Sequence, residues 1–265
     1  MGDLGSARIK EVARLHQKDA RLETGLFLLE GPQGLKELVS SPELVVEIFA
    51  SAGALDRYAA EFQALGSSGC SVVEVSEKTM GRISDTRTPQ GVIAVLRQFD
   101  IQLADLVATH PRLVVLLDRI QDPGNAGTVL RAADASGADS VIFSKGSVDL
   151  YNPKLVRSTA GSLLHVPAAT DVDALSAIAS LKAAGMQVFA ASGAGESLTD
   201  IDADVLSKPT AWVFGNEASG VAPAVIEACD KTVAIPIYGS TESLNLSTAA
   251  AICVYTSAFA QHANH

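Results

Sequence analysis

The residues best suited to chemistry lie in three polar loops, each of which follows an apolar run. The first loop holds Asn125, with Arg131 six residues further along, and the second holds Gly215 and Glu217. The third loop surrounds Leu244 and leads into an Ala-rich segment. Open α/β sheets bind ligands at the carboxyl ends of their strands, where such loops meet. The spacing therefore predicts one site assembled from three separate parts of the chain.

Each loop taken singly also has an ordinary structural interpretation. Asn125 is a suitable helix cap, and Arg131 is then a solvated helix residue. Glu217 is then a carboxylate favoured at the start of a helix, and Ser243 or Asn245 caps the final helix. These alternatives predict no chemistry, and no single loop decides against them.

The second and third loops favour a ligand that is recognised mainly through the backbone. Gly215 directly follows an apolar strand, and a glycine lets a ligand approach the main chain closely. The backbone of the third loop is able to read the edge of an adenine, with Ile235 and Leu244 on either side of the ring. The spacing Gly124-x-x-Gly127 does not match G-x-G-x-x-G, so a nicotinamide or flavin cofactor receives little support.

Metal, disulfide and membrane roles receive no support from the sequence. Cys70, Cys229 and Cys253 are odd in number and widely spaced, and the five histidines make no ligand spacing with them. No apolar run approaches the ~18 residues of a membrane span, and the N-terminus is charged rather than signal-like. We expect a reduced, cytoplasmic protein without a metal.

The overall charge argues weakly against a nucleic-acid partner. The 265 residues carry a net charge of −10, whereas phosphate contacts need Lys and Arg. The charge is uneven, however, because the acidic excess is concentrated in residues 171–230 and the first 21 residues are basic. Local basic surface is therefore compatible with the composition, and candidate phosphate contacts in the basic segment are Arg8, Arg14 and Arg21.

The order of apolar runs predicts two α/β domains. In the second half, strands near 113–118, 140–143, 187–191, 211–215 and 232–236 alternate with helices near 126–136, 171–184, 221–228 and 246–262, which indicates a parallel sheet. The first half has a helix at about 6–19, with strands near 27–31, 44–50, 71–75 and 91–96 and helices between them. We place a first domain at 1–97, a linker at 98–110 and a second domain at 111–265.

Taken together, the three loops resemble the SpoU/TrmH family of RNA 2'-O-ribose methyltransferases, of the SPOUT class. The first motif resembles Asp122-Pro-Gly-Asn125-x-Gly-x-x-x-Arg131, the second Gly215-x-Glu217-x-x-Gly, and the third Ser243-Leu-Asn. The stretch 151–167 also resembles the family, with Arg157 in its arginine position. FLLEG near residue 30 resembles the start of the small, ribosomal-protein-like substrate-binding domain of rRNA-directed members.

The resemblance implies a fold, a methyl donor and an assembly. The fold is an α/β knot, a parallel sheet with a C-terminal trefoil knot, preceded by a smaller α/β domain. The donor is S-adenosylmethionine, held by Gly215, Asn216, Ile235, Leu244 and Asn245. Two subunits pack around the knots as a homodimer, so the active site is shared across their interface.

The resemblance also implies roles for the site residues. Arg131 takes the proton of the ribose hydroxyl or, because a free guanidinium is protonated at any ordinary pH, stays charged as an anchor. Ser243 and Asn245 position it, Asn125 orients the ribose, and Glu217 braces the loop. Arg157 holds a phosphate.

The implied substrate is RNA, with 23S ribosomal RNA as the expected target, and three other interpretations stay open. One is a tRNA 2'-O-methyltransferase. A second is a catalytically silent RNA-binding protein, which need not bind the donor. A third is a Rossmann dehydrogenase, which the absent glycine fingerprint disfavours.

Overall fold

The computed structural model describes residues 4–263, which divide into two compact units. Unit 1 comprises Met1–Phe99 together with Tyr151–Leu164, and unit 2 comprises Asp100–Leu150 and His165–His265. The packing thus assigns residues 151–164 to unit 1, although the sequence-based division placed them in the second domain. The division at residues 97 and 110 stays a prediction of functional domains.

Unit 1 is built on a four-stranded mixed sheet in the order β1-β4-β2-β3. Strand β4 pairs antiparallel with β1 and β2, and β3 pairs parallel with β2. Its elements within the first 99 residues are α1 (Ser6–Arg14), α2 (Lys18–Thr24), β1 (Leu26–Glu30), α3 (Pro32–Leu38), β2 (Val45–Ala50), α4 (Ala52–Arg57), α5 (Ala59–Ser67), β3 (Val72–Glu74), α6 (Glu77–Ile83) and β4 (Val92–Arg97).

Unit 2 is built on a six-stranded parallel sheet in the order β10-β8-β9-β5-β6-β7. Strands β5, β6 and β9 are buried along their whole length, as expected for a sheet covered on both faces. The elements after residue 100 are α7 (Leu103–Ala108), β5 (Leu113–Leu117), α8 (Pro123–Ala135), β6 (Ser140–Ser144), α9 (Pro153–Ser158), β7 (Ala168–Val172), α10 (Ala174–Ala183), β8 (Gln187–Ser197), α11 (Ala203–Leu206), β9 (Thr210–Phe214), α12 (Pro223–Ala228), β10 (Lys231–Ala234) and α13 (Leu246–His262).

Helix α9 lies in the segment that the chain contributes to unit 1 from far along the sequence. Tyr151, at the start of this segment, is 3% exposed and packs its ring 4.6 Å from that of Phe27. Its hydroxyl accepts a hydrogen bond from the backbone N–H of Phe99 at 2.7 Å. Leu155 and Val156 are also buried, so the segment is part of the unit's core.

Two predicted helices differ from the structure for identifiable reasons. The helix predicted at 6–19 is broken after α1, and the Arg21 guanidinium donates to the carbonyls of Leu15 and His16 at the break. The helix predicted from 171 begins at Ala174, because the carboxylate of Asp173 caps it by accepting from Ser176 N–H at 2.9 Å. The residues before it form β7, a strand that the sequence analysis missed.

Candidate active site

A cavity of about 420 Å³ lies where the three predicted loops meet in unit 2. Its walls come from the middle of β8, from the ends of β9 and β10 and from the start of α13. The predicted site residues among the lining are Asn125, Gly215, Asn216, Glu217, Ile235, Ser243, Leu244 and Asn245. The structure therefore brings together residues that are up to 120 positions apart in the sequence.

The first loop enters α8 through a cap made by Asp122, not by Asn125. The Asp122 carboxylate accepts from the backbone N–H of Asn125 at 2.7 Å, and Pro123 occupies the first turn, where its missing N–H costs nothing. The alternative that made Asn125 the cap is thus wrong. Its side-chain amide is left to act in the cavity.

Three polar side chains, one from each loop, form a hydrogen-bonded chain across the cavity. Asn245 Nδ2 donates to Asn125 Oδ1 at 3.0 Å, and Asn125 Nδ2 donates to Glu217 Oε1 at 3.3 Å. Glu217 also accepts from the backbone N–H groups of Gln121 and Asp122, at 3.4 and 3.3 Å. The carboxylate of Glu217 thus ties the second loop to the first, and the orientation of the Asn125 amide is fixed from both sides.

The second loop is a tight backbone structure with no room for a side chain at Gly215. A Cβ atom there would lie 2.0 Å from the carbonyl carbon of Gly220. Asn216 and Gly220 exchange two backbone hydrogen bonds, of 3.1 and 2.8 Å. The Asn216 side chain donates to the carbonyl of Arg119 at 2.9 Å and accepts from Ala218 N–H. Asn216 therefore shapes the loop as well as lining the cavity.

Asp118 is a buried carboxylate that sequence reasoning did not select. It follows the last residue of β5, and its side chain is 3% exposed. One oxygen accepts from Ala222 N–H at 3.2 Å and the other from Ser144 Oγ at 3.4 Å. Its backbone N–H also donates to the carbonyl of Phe214 at 2.8 Å, so Asp118 joins the ends of three strands of the sheet, β5, β6 and β9. The sequence feature that could have identified Asp118 is its position as a carboxylate directly after a fully apolar strand.

The third loop combines a helix cap with apolar lining. Asn245 Oδ1 accepts from Ser247 N–H at 2.9 Å and so caps α13, while its amide nitrogen bonds Asn125. Asn245 is therefore the cap of α13, as its structural interpretation predicted, and its functional role stays a prediction. Ser243 is exposed at the cavity, next to the half-buried Leu244.

Arg131 lies outside this cavity. It is exposed on α8, and its side chain makes no hydrogen bond or ion pair within the described residues. A single chain therefore does not assemble the full set of predicted catalytic residues.

Comparison with known proteins agrees with this arrangement of loops. Residues 112–255 match the model of the SpoU rRNA Methylase family, and residues 6–94 match an MRM3-like substrate binding domain. The chain belongs to the SpoU rRNA methylase family. The resemblance carried by the three loops is thereby confirmed.

Relatives of this SpoU family member match nearly its whole length. It is 35% identical over 249 residues to the Bacillus subtilis 23S rRNA (guanosine(2553)-2'-O)-methyltransferase RlmP, covering 94% of both chains. It resembles the AdoMet-bound rRNA methyltransferase from Sinorhizobium meliloti with a TM-score of 0.82 and 31% identity, over 97% and 96% of the two chains. It also resembles the SpoU methyltransferase AviRb of Streptomyces viridochromogenes in complex with AdoMet, with a TM-score of 0.83 and 28% identity, over 96% and 97%.

The chemistry of the cavity fits S-adenosylmethionine. Its volume lies in the usual range of small-molecule sites, about 300–1,000 Å³, and Ile235 and Leu244 provide apolar walls. The charged side chains that line it within the described residues are Glu217 and Glu242, with no lysine or arginine. Such a lining suits a ligand with a positive sulfonium better than the pyrophosphate of a dinucleotide.

Metal and thiol chemistry find no site in the part of the chain that the structure describes. Residues 4–263 contain no group of three or more His, Cys, Asp or Glu side chains arranged to hold a metal ion. Burial raises the pKa of the Cys229 and Cys253 thiols to about 12, so neither is a nucleophile at neutral pH. No helix among these residues is long and apolar enough to span a bilayer.

The arginines predicted to contact RNA are engaged within unit 1. Arg8 pairs with Glu47 at 2.7 Å and with Glu11 at 2.9 Å. These carboxylates raise the pKa of Arg8, and the hydrogen bond to Glu47 is the largest cause. Arg14 pairs with the exposed Glu23 at 3.1 Å. Arg21 is 2% exposed, which argues against its predicted phosphate contact because its guanidinium stays inside the unit.

Arg157 is also held by carboxylates of unit 1. Its Nη1 lies 3.6 Å from Glu30 and 3.4 Å from Asp85, and the Glu30 side chain is only 8% exposed. The phosphate contact implied for Arg157 by its position in the family pattern stays a prediction, and it would have to compete with these two carboxylates.

Proposed function

We propose that this protein transfers the methyl group of S-adenosylmethionine to a ribose 2'-hydroxyl of 23S ribosomal RNA. The observation that carries the proposal is the hydrogen-bonded chain Asn245–Asn125–Glu217 across a glycine-walled cavity whose described lining holds no lysine or arginine. The relatives named for 23S rRNA 2'-O-methylation support the substrate. A ribosomal RNA substrate implies action in the cytoplasm.

Bound S-adenosylmethionine supplies an activated methyl group, so the protein must supply alignment and a place for the hydroxyl proton. The Asn125 amide, fixed by Glu217 and Asn245, orients the ribose. Arg131 either takes the proton or stays charged and anchors the oxygen through its planar fork. Ser243, exposed beside the cavity, positions the arginine.

The protein acts as a homodimer through unit 2, and this assembly completes the site. Arg131 lies outside the cavity of its own chain, which fits a site to which a second copy contributes. Helix α13 carries no Lys, Arg, Asp or Glu, yet Phe259 is 69% exposed and Ile252 38% exposed on it. Tyr238, in the third loop, is 87% exposed. Such apolar surface is typical of subunit interfaces. The trefoil knot implied by the family stays a prediction.

The dimer is tested by mixing two inactive variants. Arg131→Ala and Asn125→Ala chains, co-expressed with different tags and purified as the heterodimer, regain about half of wild-type activity if one chain completes the other's site. The same preparation stays inactive if each chain works alone. A monomer in light scattering of the full chain would contradict the assembly directly.

The function is tested by ligand binding and by mapping of the product. Calorimetry with S-adenosylhomocysteine should give the same affinity with and without a chelator, whereas a silent RNA-binding protein need not bind it. Ribose 2'-O-methyls mapped on RNA from cells with and without the gene should differ at one site in 23S rRNA. If the methylation difference lies in tRNA instead, the substrate is tRNA. If neither 23S rRNA nor tRNA differs, the proposal is overturned.

A further inference from the structure

Arg119, between β5 and the first loop, has a backbone that is held in an uncommon conformation. Its φ is +55°, the left-handed region that costs a non-glycine residue free energy. Its N–H donates to Ser144 Oγ at 2.9 Å, and its carbonyl accepts from Asn216 Nδ2 at 2.9 Å. The surrounding structure therefore fixes the direction in which this side chain leaves the loop.

The guanidinium of Arg119 is oriented by a buried carboxylate. Nε lies 3.3 Å and Nη2 3.2 Å from oxygens of Asp118, whose side chain is 3% exposed. Within residues 4–263, Arg119 Nη1 donates to no acceptor, and the side chain as a whole is 45% exposed. One edge of the planar group is thus anchored and the other faces solvent.

This solvent-facing donor lies beside the candidate active site. Asn216, which bonds the Arg119 carbonyl, lines the cavity, and Gln121, two residues on, donates its N–H to Glu217. The arginines of the basic N-terminal segment, in contrast, are paired or buried in unit 1. In a chain of net charge −10, a pre-oriented cation at this edge is a specific feature.

We propose that Arg119 binds a backbone phosphate of the RNA next to the target ribose, with Asp118 holding the guanidinium in place. The proposal rests on the proposed function and adds a substrate contact to it. An arginine fork binds phosphate through two parallel N–H donors, and the anchored edge leaves the Nη1 side for this purpose. Asp118 is a positioning residue, because it acts on the RNA through Arg119.

The test replaces Arg119 with asparagine, which tolerates a left-handed backbone and so removes the charge without adding strain. Single-turnover methylation of an unmodified 23S rRNA transcript is measured over a range of KCl concentrations. We expect the half-saturating RNA concentration of Arg119→Asn to rise about tenfold and its salt slope to fall by about one. Calorimetric affinity for S-adenosylhomocysteine should stay within about twofold of wild type, because Arg119 does not line the cavity.

Arg112 provides a matched control at the opposite end of β5. It is an exposed arginine that donates to the carbonyl of Ser207 at 3.2 Å, away from the loops. Arg112→Gln should keep the wild-type RNA dependence and salt slope. If both variants lower the salt slope equally, the effect is one of overall charge and the proposal is wrong.

A double variant separates phosphate binding from simple neutralisation of Asp118. Arg119→Asn leaves a buried carboxylate unpaired, which by itself is destabilising, and Asp118→Asn/Arg119→Asn removes that charge as well. The double variant should keep the RNA defect. Recovery of wild-type RNA dependence would show that Arg119 serves only as a counter-ion. Filter binding of the same transcript measures the contribution of Arg119 to RNA affinity even if the wild-type protein methylates no ribose. Failure of the proposed function is therefore distinguishable from failure of the phosphate contact.

Discussion

The unit 1 arginines that were candidates for RNA contact, Arg8, Arg14, Arg21 and Arg157, end on acceptors of the same unit. Arg119 and Arg131, near the loops of unit 2, instead keep donors open to solvent. Arg8 and Arg157 lie against carboxylates, and Arg21 donates to carbonyls inside a broken helix. The side chain of Arg131, in contrast, makes no hydrogen bond or ion pair within the described residues, and the guanidinium of Arg119 is anchored along one edge only. A count of basic residues therefore locates positive charge poorly. What matters is whether a carboxylate of the same unit has already paired with it.

Among substitutions that test this contrast, the largest effect on activity is expected at Arg131. Arg131→Ala should abolish single-turnover methylation and leave the affinity for S-adenosylhomocysteine unchanged, since Arg131 does not line the cavity of its own chain. Arg131→Lys should fail as well, because an ammonium does not reproduce the planar fork. A solvated helix residue would instead change stability by no more than about 0.5 kcal/mol and leave turnover intact. Loss of both turnover and product binding would indicate a structural role.

The next largest effect concerns the brace between the loops. Glu217→Ala removes the acceptor for Asn125 and for two backbone N–H groups. Turnover should fall by about 10²-fold, because the ribose-orienting amide is no longer fixed. Glu217→Gln, which keeps one carbonyl acceptor, should recover part of the rate. Glu227, exposed on α12, serves as the control carboxylate. Equal rates for Glu217→Ala and Glu227→Ala would break the comparison.

In unit 1 the same kind of substitution should reduce stability rather than turnover. Arg157→Met removes the cation beside Glu30 and Asp85, while the hydroxyls of Ser84 and Thr86 still donate to Glu30. The free energy of unfolding in urea should fall by about 2 kcal/mol. Adding Glu30→Gln should restore part of the loss, because the buried charge is then removed. Unchanged stability with weaker RNA binding would instead support the phosphate contact that the family pattern implies.

The smallest effect is expected at a surface ion pair of unit 2, between Asp230 and Lys182. Burial raises the pKa of Asp230. The ammonium of Lys182 at 2.7 Å and the N–H of Val188 together lower it by more than burial raises it, so the net pKa lies below its usual value. The stabilisation is present above the unfolded pKa of about 3.9 and is lost as the pH falls through the lower folded value. Lys182→Met should flatten this acid-side decline, with a change of at most about 1 kcal/mol at pH 7. Thermal melts between pH 7 and pH 3 measure both.

Much of unit 2 could be predicted because its strands are short apolar runs and its loops carry motifs of fixed spacing. The strands at 113–117 and 210–214 and the final helix lie where the sequence placed them. The family followed from the same three loops. The roles of the individual side chains stay predictions.

The remainder depended on contacts between residues far apart in the sequence. At the break after α1, the side chain of Arg21 donates hydrogen bonds to the carbonyls of Leu15 and His16. Helical periodicity in the sequence does not reveal such a bond. The pairing of Arg157 with Glu30 joins residues 127 positions apart, and it cannot be inferred from either neighbourhood alone. Asp118 was overlooked because a carboxylate after a strand is common, and its burial appears only when three strand ends converge.

The segment Tyr151–Leu164 has a consequence for the order in which the protein folds during synthesis. Unit 1 needs the ring of Tyr151 and the apolar side chains of α9 to complete its core. These residues are nevertheless translated after β5 and β6, the first two strands of the unit 2 sheet in sequence order. At about 5–20 residues per second, the ribosome spends several seconds between Phe99 and Leu164. During that time the N-terminal sheet is exposed with part of its interior missing. We expect nascent chains arrested before residue 151 to be cleaved readily by protease within residues 4–99, and chains arrested well beyond residue 164 to resist.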